Sequence, residues 1–598
     1  MSFTHKLSKR LAVIRSVLFV GVVAFGCAPD ATNTAIPDLV QLAMVPESLT
    51  VNPNQTYQLV VYGRTAAGDS VTPQAQAVSW STDDPAVASV SAGGLVTALT
   101  AGTVTIEASS NGRHARGRVK VNPPVAHAGW HVTPDGSSSN SGTAAQPWSL
   151  TYALSGASGR IQPGDTVWLH GGTYRGQFRA TVAGASGNPV VIRQYPGERA
   201  TIDVAGATSS TSRGDGFVVK GAWTEWWDFE LMSSDPNRFS DIRPNMMIND
   251  ANNTKYIDLV VHDGGIGFYN YESASNVEFN GNIVYNNGWQ SATKGGGHAF
   301  YMKSSTGPVL LRDNIIFNQF SYGIHVYTDA AAGALVNIAM DGNVSFNTGS
   351  VAQQYNSASA ANILVGGEEP VRGSKVTNNM TYFSPGYGVN NLMMGYSDFA
   401  NVDLTLSNNY AVGGRYVLTT RRWDQVNASG NELIGSGSVV RIVDTVLTGY
   451  AWGTNTYQRD AAASAWQYNG TDYSFAGWKT NTGLGSTDVA LPVMPVTPRV
   501  FVRPSRYEAG RAMIVIYNWG DGSSVPVDLS GVLQPGAPYE VRNVQNWYGT
   551  AVTTGTFDGG AINLPMNGVT PPAVVGGAPH PPPRTGPDFD VFVVRKLN

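Results

Sequence analysis

One short pattern returns along the middle of this chain, and it limits the possible folds more than any other feature. Asn282-Ile-Val-Tyr-Asn286 is followed by Asn314-Ile-Ile-Phe-Asn318, Asn343-Val-Ser-Phe-Asn347, Asn379-Met-Thr-Tyr382 and Asn409-Tyr-Ala-Val412. The intervals between the leading Asn residues are 32, 29, 36 and 30 residues. Only short apolar runs and small turns lie between the units, with no helical periodicity. A repeat of about this length marks a stacked architecture. One such coil cannot bury its apolar side alone, so it stacks on its neighbours and sets equivalent side chains above one another. Asn residues at equivalent turns then bond in ladders along the stack. The fold class expected is all-β, a solenoid of short parallel strands.

Composition agrees. Charged residues make up 13% of the chain, against about 25% in ordinary soluble domains. Gly accounts for 68 of 598 residues, which suits many strands joined by turns. The net charge is -4 and the sequence pI about 6.1, without a basic stripe, so nucleic acid is excluded as a partner. The single cysteine, Cys27, excludes an intrachain disulfide.

Cys27 has a context of its own. Lys6, Lys9, Arg10 and Arg15 precede the apolar run Val17 to Phe25. A basic region before a short apolar run is an export signal, and the run is too short to span a bilayer. Val23-Ala24-Phe25-Gly26-Cys27 resembles a bacterial lipobox, although Ala24 and Phe25 stand where Leu and a small residue are usual. The resemblance implies lipidation at Cys27. Residues 1–27 are read as the signal and 28–38 as a tether. The expected location is the outer membrane or cell surface, or the medium, with any membrane attachment through the lipid alone.

Residues 39–122 alternate apolar and polar side chains in short strands. Trp80-Ser-Thr-Asp-Asp-Pro-Ala-Val-Ala88, Gly93-Gly-Leu-Val-Thr-Ala98 and Ala101-Gly-Thr-Val-Thr-Ile106 resemble the bacterial Ig-like domain of group 2. Such domains are commonly spacers, with Trp80 in the core. At the other end, 496–598 reads as a small antiparallel β-sandwich, with strands such as Ala512 to Trp519 and Asp590 to Val594. It is expected to cap or extend the stack.

The solenoid itself is assigned to 128–490. It opens with Pro163-Gly164-Asp165-Thr-Val-Trp-Leu169 and Gly171-Gly-Thr-Tyr174. This opening resembles the first coils of the pectate-lyase-like superfamily, which implies a right-handed parallel β-helix.

Counting back from the repeated Asn aligns three coils. Phe268 and Phe300 stand 14 residues before it, and Ile324 stands 19 before it because of a longer loop around Ala330 to Ala334. Neighbours in a strand face opposite sides. If Phe268, Phe300 and Ile324 point in, then Tyr269, Tyr301 and His325 form one outward row and Tyr271, Lys303 and Tyr327 the next. Gly267, Ala299 and Gly323 leave a strip of small residues beside them. Aromatic faces and a small-residue strip suit a sugar chain. The Gly-rich loop from Trp289 to His298, which carries Lys294, is expected to wall or cover the groove.

The superfamily resemblance implies a chemistry. A Lys removes the proton beside a uronic-acid carboxylate, a Tyr or His protonates the leaving oxygen, and a cation, often calcium, neutralises the carboxylate. On that reading Lys303 is the base, Tyr301 and His325 are its partners, and Tyr269, Tyr271, Tyr327, His298 and Lys294 bind substrate. Asp263, Glu272 and Asp329, with Glu368 and Glu369, are the oxygen donors available to a metal. The sequence departs from that family in lacking clustered aspartates. The expected function is a monomeric polysaccharide lyase acting on an acidic polymer. A non-catalytic glycan-binding surface protein and a glycoside hydrolase stay open, the latter through Asp228 and Glu230 in Trp223-Thr-Glu-Trp-Trp-Asp-Phe-Glu230. Arg421-Arg422-Trp423-Asp424 reads as a solvated turn.

Overall fold

A computed structural model describes residues 39–51, 56–65, 70–71, 78–121, 129–206, 214–239, 243–353, 360–385 and 389–597. The export signal, Cys27 and the whole of the tether lie outside them. Among the described residues no helix is long and apolar enough to cross a membrane. The chain divides into two compact units, Met1–Val125 and Ala126–Asn598.

The first unit is a β-sandwich. Its longest strands, Gly102–Ser110 and Arg113–Val121, pair antiparallel and bury alternate residues. Val104, Ile106, Ala108 and Val119 form the centre of the core, and Trp80 packs against it.

The second unit is a solenoid with a lateral domain. Among the described residues, three sheets of 13, 12 and 12 strands run its length, parallel throughout except for the last pair of the third. Each coil crosses them in one order, here called A, B and C. Val277–Asn280 lies in sheet A, Ile283–Tyr285 in B and Phe300–Met302 in C. The turn from A to B is tight and carries the Asn ladder. Asn282, Asn314, Asn343, Asn379, Asn409, Asn431 and Asn455 are all buried. The Asn282 amide donates to Asn314 Oδ1 (2.8 Å), Asn314 to Asn343 (2.8 Å) and Asn343 to Asn379 (3.0 Å). Each Oδ1 also accepts the backbone N–H of the Asn before it, so a buried turn leaves no donor unmet.

Inside the stack, like residues pile up. Phe268 stacks on Phe300 with ring centroids 5.0 Å apart, and Tyr256 stacks on Phe279 at 5.0 Å. The far end is closed by the helix Phe475–Thr482, whose Trp478 is fully buried.

The C-terminal domain does not cap the stack, contrary to the sequence expectation. It lies on the side, against the outward face of sheet B. Ile283, Tyr285, Ile315, Phe317, Val344 and Phe346 form one core with Met513, Val515, Tyr517, Phe589, Val591 and Val593. Apolar residues on the outward positions as well as the inward ones explain this: Ile316 points into the solenoid while Ile315 and Phe317 point out under the sandwich.

Candidate functional site

Sheet C positions the candidate site. Phe268–Asn270, Phe300–Met302 and Ile324–Val326 pair in parallel, with Tyr269 opposite Tyr301 and Tyr301 opposite His325. Phe268, Phe300 and Ile324 are fully buried in the interior, so the middle residue of each strand faces out. The next outward positions are Tyr271, Lys303 and Tyr327.

The two rows form one aromatic cluster. Tyr269 meets Tyr301 edge-on at 5.1 Å, and Tyr301 stacks on His325 at 5.1 Å. His325 in turn stacks on Tyr327 at 4.9 Å. Lys303 Nζ lies 5.5 Å from the centre of the Tyr301 ring. Only 6% of Lys303 and 7% of His325 is exposed, so both are far less solvated than ordinary surface residues. Lys303 Nζ pairs with Asp329 at 3.5 Å. Burial works to raise the Asp329 carboxyl, but the Lys303 charge and backbone donors outweigh it and hold the group below its usual range. Burial and the neighbouring Glu368 carboxylate push the Tyr327 phenol up to about 12. Burial, with Asp215 and Glu272, also raises Tyr271.

The Gly-rich loop is a small hairpin, Trp289–Gln290 pairing with Gly295–Gly296. It brings His298 beside the cluster, 4.3 Å from His325 and 5.5 Å from Tyr301, centroid to centroid. Lys294 stands exposed at its tip, away from the described ring contacts. Gly267, Ala299 and Gly323 are buried and bring neighbouring backbones close, as at Gly267, where an added Cβ would lie 2.6 Å from the Ala299 carbonyl oxygen.

Two members were missed in the sequence. Tyr322 stacks on His325 at 4.5 Å, and Tyr396 meets Tyr327 edge-on at 5.3 Å. The count that aligns Phe300 with Ile324 also aligns His298 with Tyr322, so Tyr322 was within reach of the same reasoning. Tyr396 follows the turn after a later coil, and no repeat position marks it.

Among the described residues, Asp263, Glu272 and Asp329 join no group of three or more potential metal ligands. Asp263 leaves sheet B on a left-handed turn and lies under the C-terminal domain, where Arg238 (2.8 Å), His262 (2.8 Å) and the Val575 N–H (2.9 Å) take its oxygens. Asp329 is engaged by Lys303, and Glu272 has no carboxylate partner for a cage with either. Calcium takes about 6–8 oxygens, so these residues do not fit a calcium site. Among the described residues the carboxylates that do meet are Asp228, Asp258 and Glu508, within 4.8 Å of one another at the edge of sheet B. Arg511 already lies 3.2 Å from Asp258 and 3.4 Å from Glu508, and Arg193 lies 2.8 Å from Asp228. That group joins the C-terminal domain to the solenoid through its own ion pairs.

The hydrolytic pair is also corrected. The strand ends at Trp227, Asp228 is a left-handed turn residue (φ 65°), and Glu230 begins the next sheet. Glu230 is buried and bonded by Arg199 (2.6 Å) and His262 (2.9 Å). Neither carboxylate shares an open face with the other.

These features define a right-handed parallel β-helix, preceded in the chain by an Ig-like domain. Residues 130–426 match the family described as "Pel9A-like, right handed beta helix region", and residues 41–119 match "Bacterial Ig-like domain (group 2)". No curated protein matches the chain. Among solved structures, the chain is similar to pectate lyase Pel9A at 14% identity and a TM-score of 0.40, covering 55% of this chain and 79% of that one. A rhamnogalacturonan lyase gives 19% identity and a TM-score of 0.44, covering 55% and 87%. A GH136 lacto-N-biosidase from Eubacterium ramulus gives 13% and 0.38, covering 61% and 68%.

Proposed function

We propose that this is an extracellular, carbohydrate-active protein that cleaves an acidic polysaccharide by β-elimination on the outward face of sheet C. The observation that carries the reading is Lys303, a lysine almost removed from solvent, set between Tyr301, Tyr327 and Asp329 beside His325. The family match and the Ig-like domain, a common part of surface proteins, support the setting.

In this reaction the neutral Lys303 amine takes the proton from the carbon beside a uronate carboxylate. The electron pair left behind forms the new carbon–carbon double bond, and the glycosidic carbon–oxygen bond at the next carbon breaks. Tyr301 or His325 donates a proton to the departing oxygen. Lys303 Nζ faces Asp329 at 3.5 Å, so substrate must displace that carboxylate before the free amine can act as the base. Tyr269, Tyr271 and His298 flank the chain by stacking and hydrogen bonding. Lys294 is assigned a substrate contact only through movement of its hairpin.

The Lys303–Asp329 pair also favours a second reading, in which Lys303 remains a cation and the face binds a glycan without cleaving it. Ultraviolet absorbance of the new conjugated double bond separates the two. Full-length protein is incubated with pectins, alginates and glycosaminoglycans, with and without calcium. Turnover that falls about 100-fold or more in Lys303→Ala is expected for loss of a general base. A flat trace from folded protein that still binds the polymer would leave the binding reading.

A further inference from the structure

The outward face of sheet C extends well past Tyr327. The row of Lys303 continues through Tyr327, Gly366, Gly395 and Arg421, one residue per coil. The row of Tyr301 continues through His325, Leu364, Met393, Thr419 and Arg441. Strands lie about 4.8 Å apart, so Arg421 stands about 19 Å along the row from Lys303.

Between them the Lys303 row carries two buried glycines. Gly366 and Gly395 have φ of 152° and 106°, which favour glycine. A Cβ on Gly366 would lie 2.6 Å from the Tyr396 nitrogen, and one on Gly395 would meet the Arg421 carbonyl oxygen. The coils therefore approach closely here, and no side chain of this row stands between Tyr327 and Arg421, although Tyr396 stands exposed beside it.

The far end is cationic. Arg441 lies 4.8 Å and Arg415 5.3 Å from the centre of the Tyr416 ring. Arg441 Nε also donates to Gln467 at 2.9 Å. Arg421 pairs at 2.6 Å with Asp398, whose side chain is 79% exposed. An exposed pair of this kind contributes little, and an arriving carboxylate can replace Asp398 without leaving a buried charge. Asp444, the other acid close by, is committed to the Tyr450 hydroxyl and the Arg422 N–H. The planar guanidinium matches a carboxylate or sulfate in two hydrogen bonds.

We propose that Arg421, Arg441 and Arg415 form a second binding region on this face, which holds the acidic groups of a polyanionic sugar chain four to five coils from Lys303. This rests on the reading that a sugar chain lies along sheet C. The consequence is a length requirement: a chain must span the roughly 19 Å between Lys303 and Arg421 to gain the second set of contacts, and a short oligomer seated at Lys303 does not reach it.

The test compares full-length wild-type protein with the double variant Arg421→Gln/Arg441→Gln. Polygalacturonate and alginate, and the trimer of each, are titrated by calorimetry at low and moderate salt. Loss of about tenfold or more in affinity for the polymer is expected from removing two charged hydrogen-bonding groups, with a shallower salt dependence and trimer binding unchanged. Unchanged polymer affinity, or an equal loss for polymer and trimer, would overturn the second region alone. Failure of wild-type protein to bind either would overturn it together with the reading beneath it. Retention of the wild-type melting temperature by the variant excludes misfolding as the cause of any loss.

Discussion

Two faces of one solenoid, the outward sides of sheets B and C, use the same strand geometry for opposite ends. On sheet B the outward positions of the middle coils, among them Ile283, Tyr285, Ile315, Phe317, Val344 and Phe346, are apolar and sealed under the C-terminal domain in a single core. On sheet C the interior residues are as apolar as before, but the middle residues turn to Tyr, His and, one step on, Lys, and of these Tyr269, Tyr301 and Tyr327 stay partly exposed. A repeat kept regular on both sides of a strand marks burial on both sides. A repeat kept regular only on the inside leaves the other side free to carry chemistry.

The contrast predicts its largest effect on the covered face. Phe317 is fully buried and stacks between Tyr285 (5.0 Å) and Phe346 (5.1 Å). Phe317→Ala should cost about 3–5 kcal/mol through lost burial and a residual cavity. Urea unfolding followed by tryptophan fluorescence measures it. A loss under about 1 kcal/mol would mean that the sandwich rests loosely on sheet B, and the difference between the faces would shrink.

The physical origin of each signal decides what the sequence disclosed. The Asn ladder was legible because every rung needs the same amide at the same turn, so the chemistry repeats with the coil. The register of Tyr269, Tyr301 and His325 followed from that count together with alternation along a strand. The lateral docking was misread as an end cap, although the cue was present in triplets such as Ile315-Ile-Phe317, apolar on both sides. The fates of Asp263, Asp228 and Glu230 were hidden because their partners Arg238, Arg193 and Arg199 and the Val575 N–H arrive from other coils or from the C-terminal domain. No local pattern reports such long-range pairing.

The covered face also carries a buried charge relay that should show in pH. Burial alone would lower the His262 imidazolium, but Asp263 and Glu230 bond its two nitrogens and raise it from 6.5 to about 9. Burial would likewise raise Glu230, yet His262 and Arg199 hold it down from 4.5 to about 2. The His262 contribution to stability is therefore full below pH 6.5 and lost as pH rises through about 9. The Glu230 contribution is full above pH 4.5 and lost as pH falls toward 2. Unfolding midpoints across this range should fall at both ends. His262→Asn should lower the plateau and flatten the alkaline limb between pH 6.5 and 9. An unchanged alkaline slope in the variant would remove His262 from the account.

The smallest stability effect belongs to the open face, where it sharpens the contrast most. Tyr301 is only half-buried, and of its ring neighbours Tyr269, His298 and Tyr327 are partly in solvent while His325 is buried, so water can replace part of what they lose. Tyr301→Leu keeps a side chain of sufficient bulk on the strand and removes the phenol and the stack on His325. Aromatic pairs contribute about 0.5–1.5 kcal/mol beyond burial, so the unfolding free energy should fall by no more than about 1.5 kcal/mol. Polymer affinity or turnover should fall far more steeply, because the ring stands both under the proposed chain and beside Lys303. If Tyr301→Leu destabilised the fold as much as Phe317→Ala, the cluster would be a packing core like that of sheet B. If it left stability, affinity and turnover all unchanged, the row would be ordinary surface and the chemistry assigned to Lys303 would lose its nearest support.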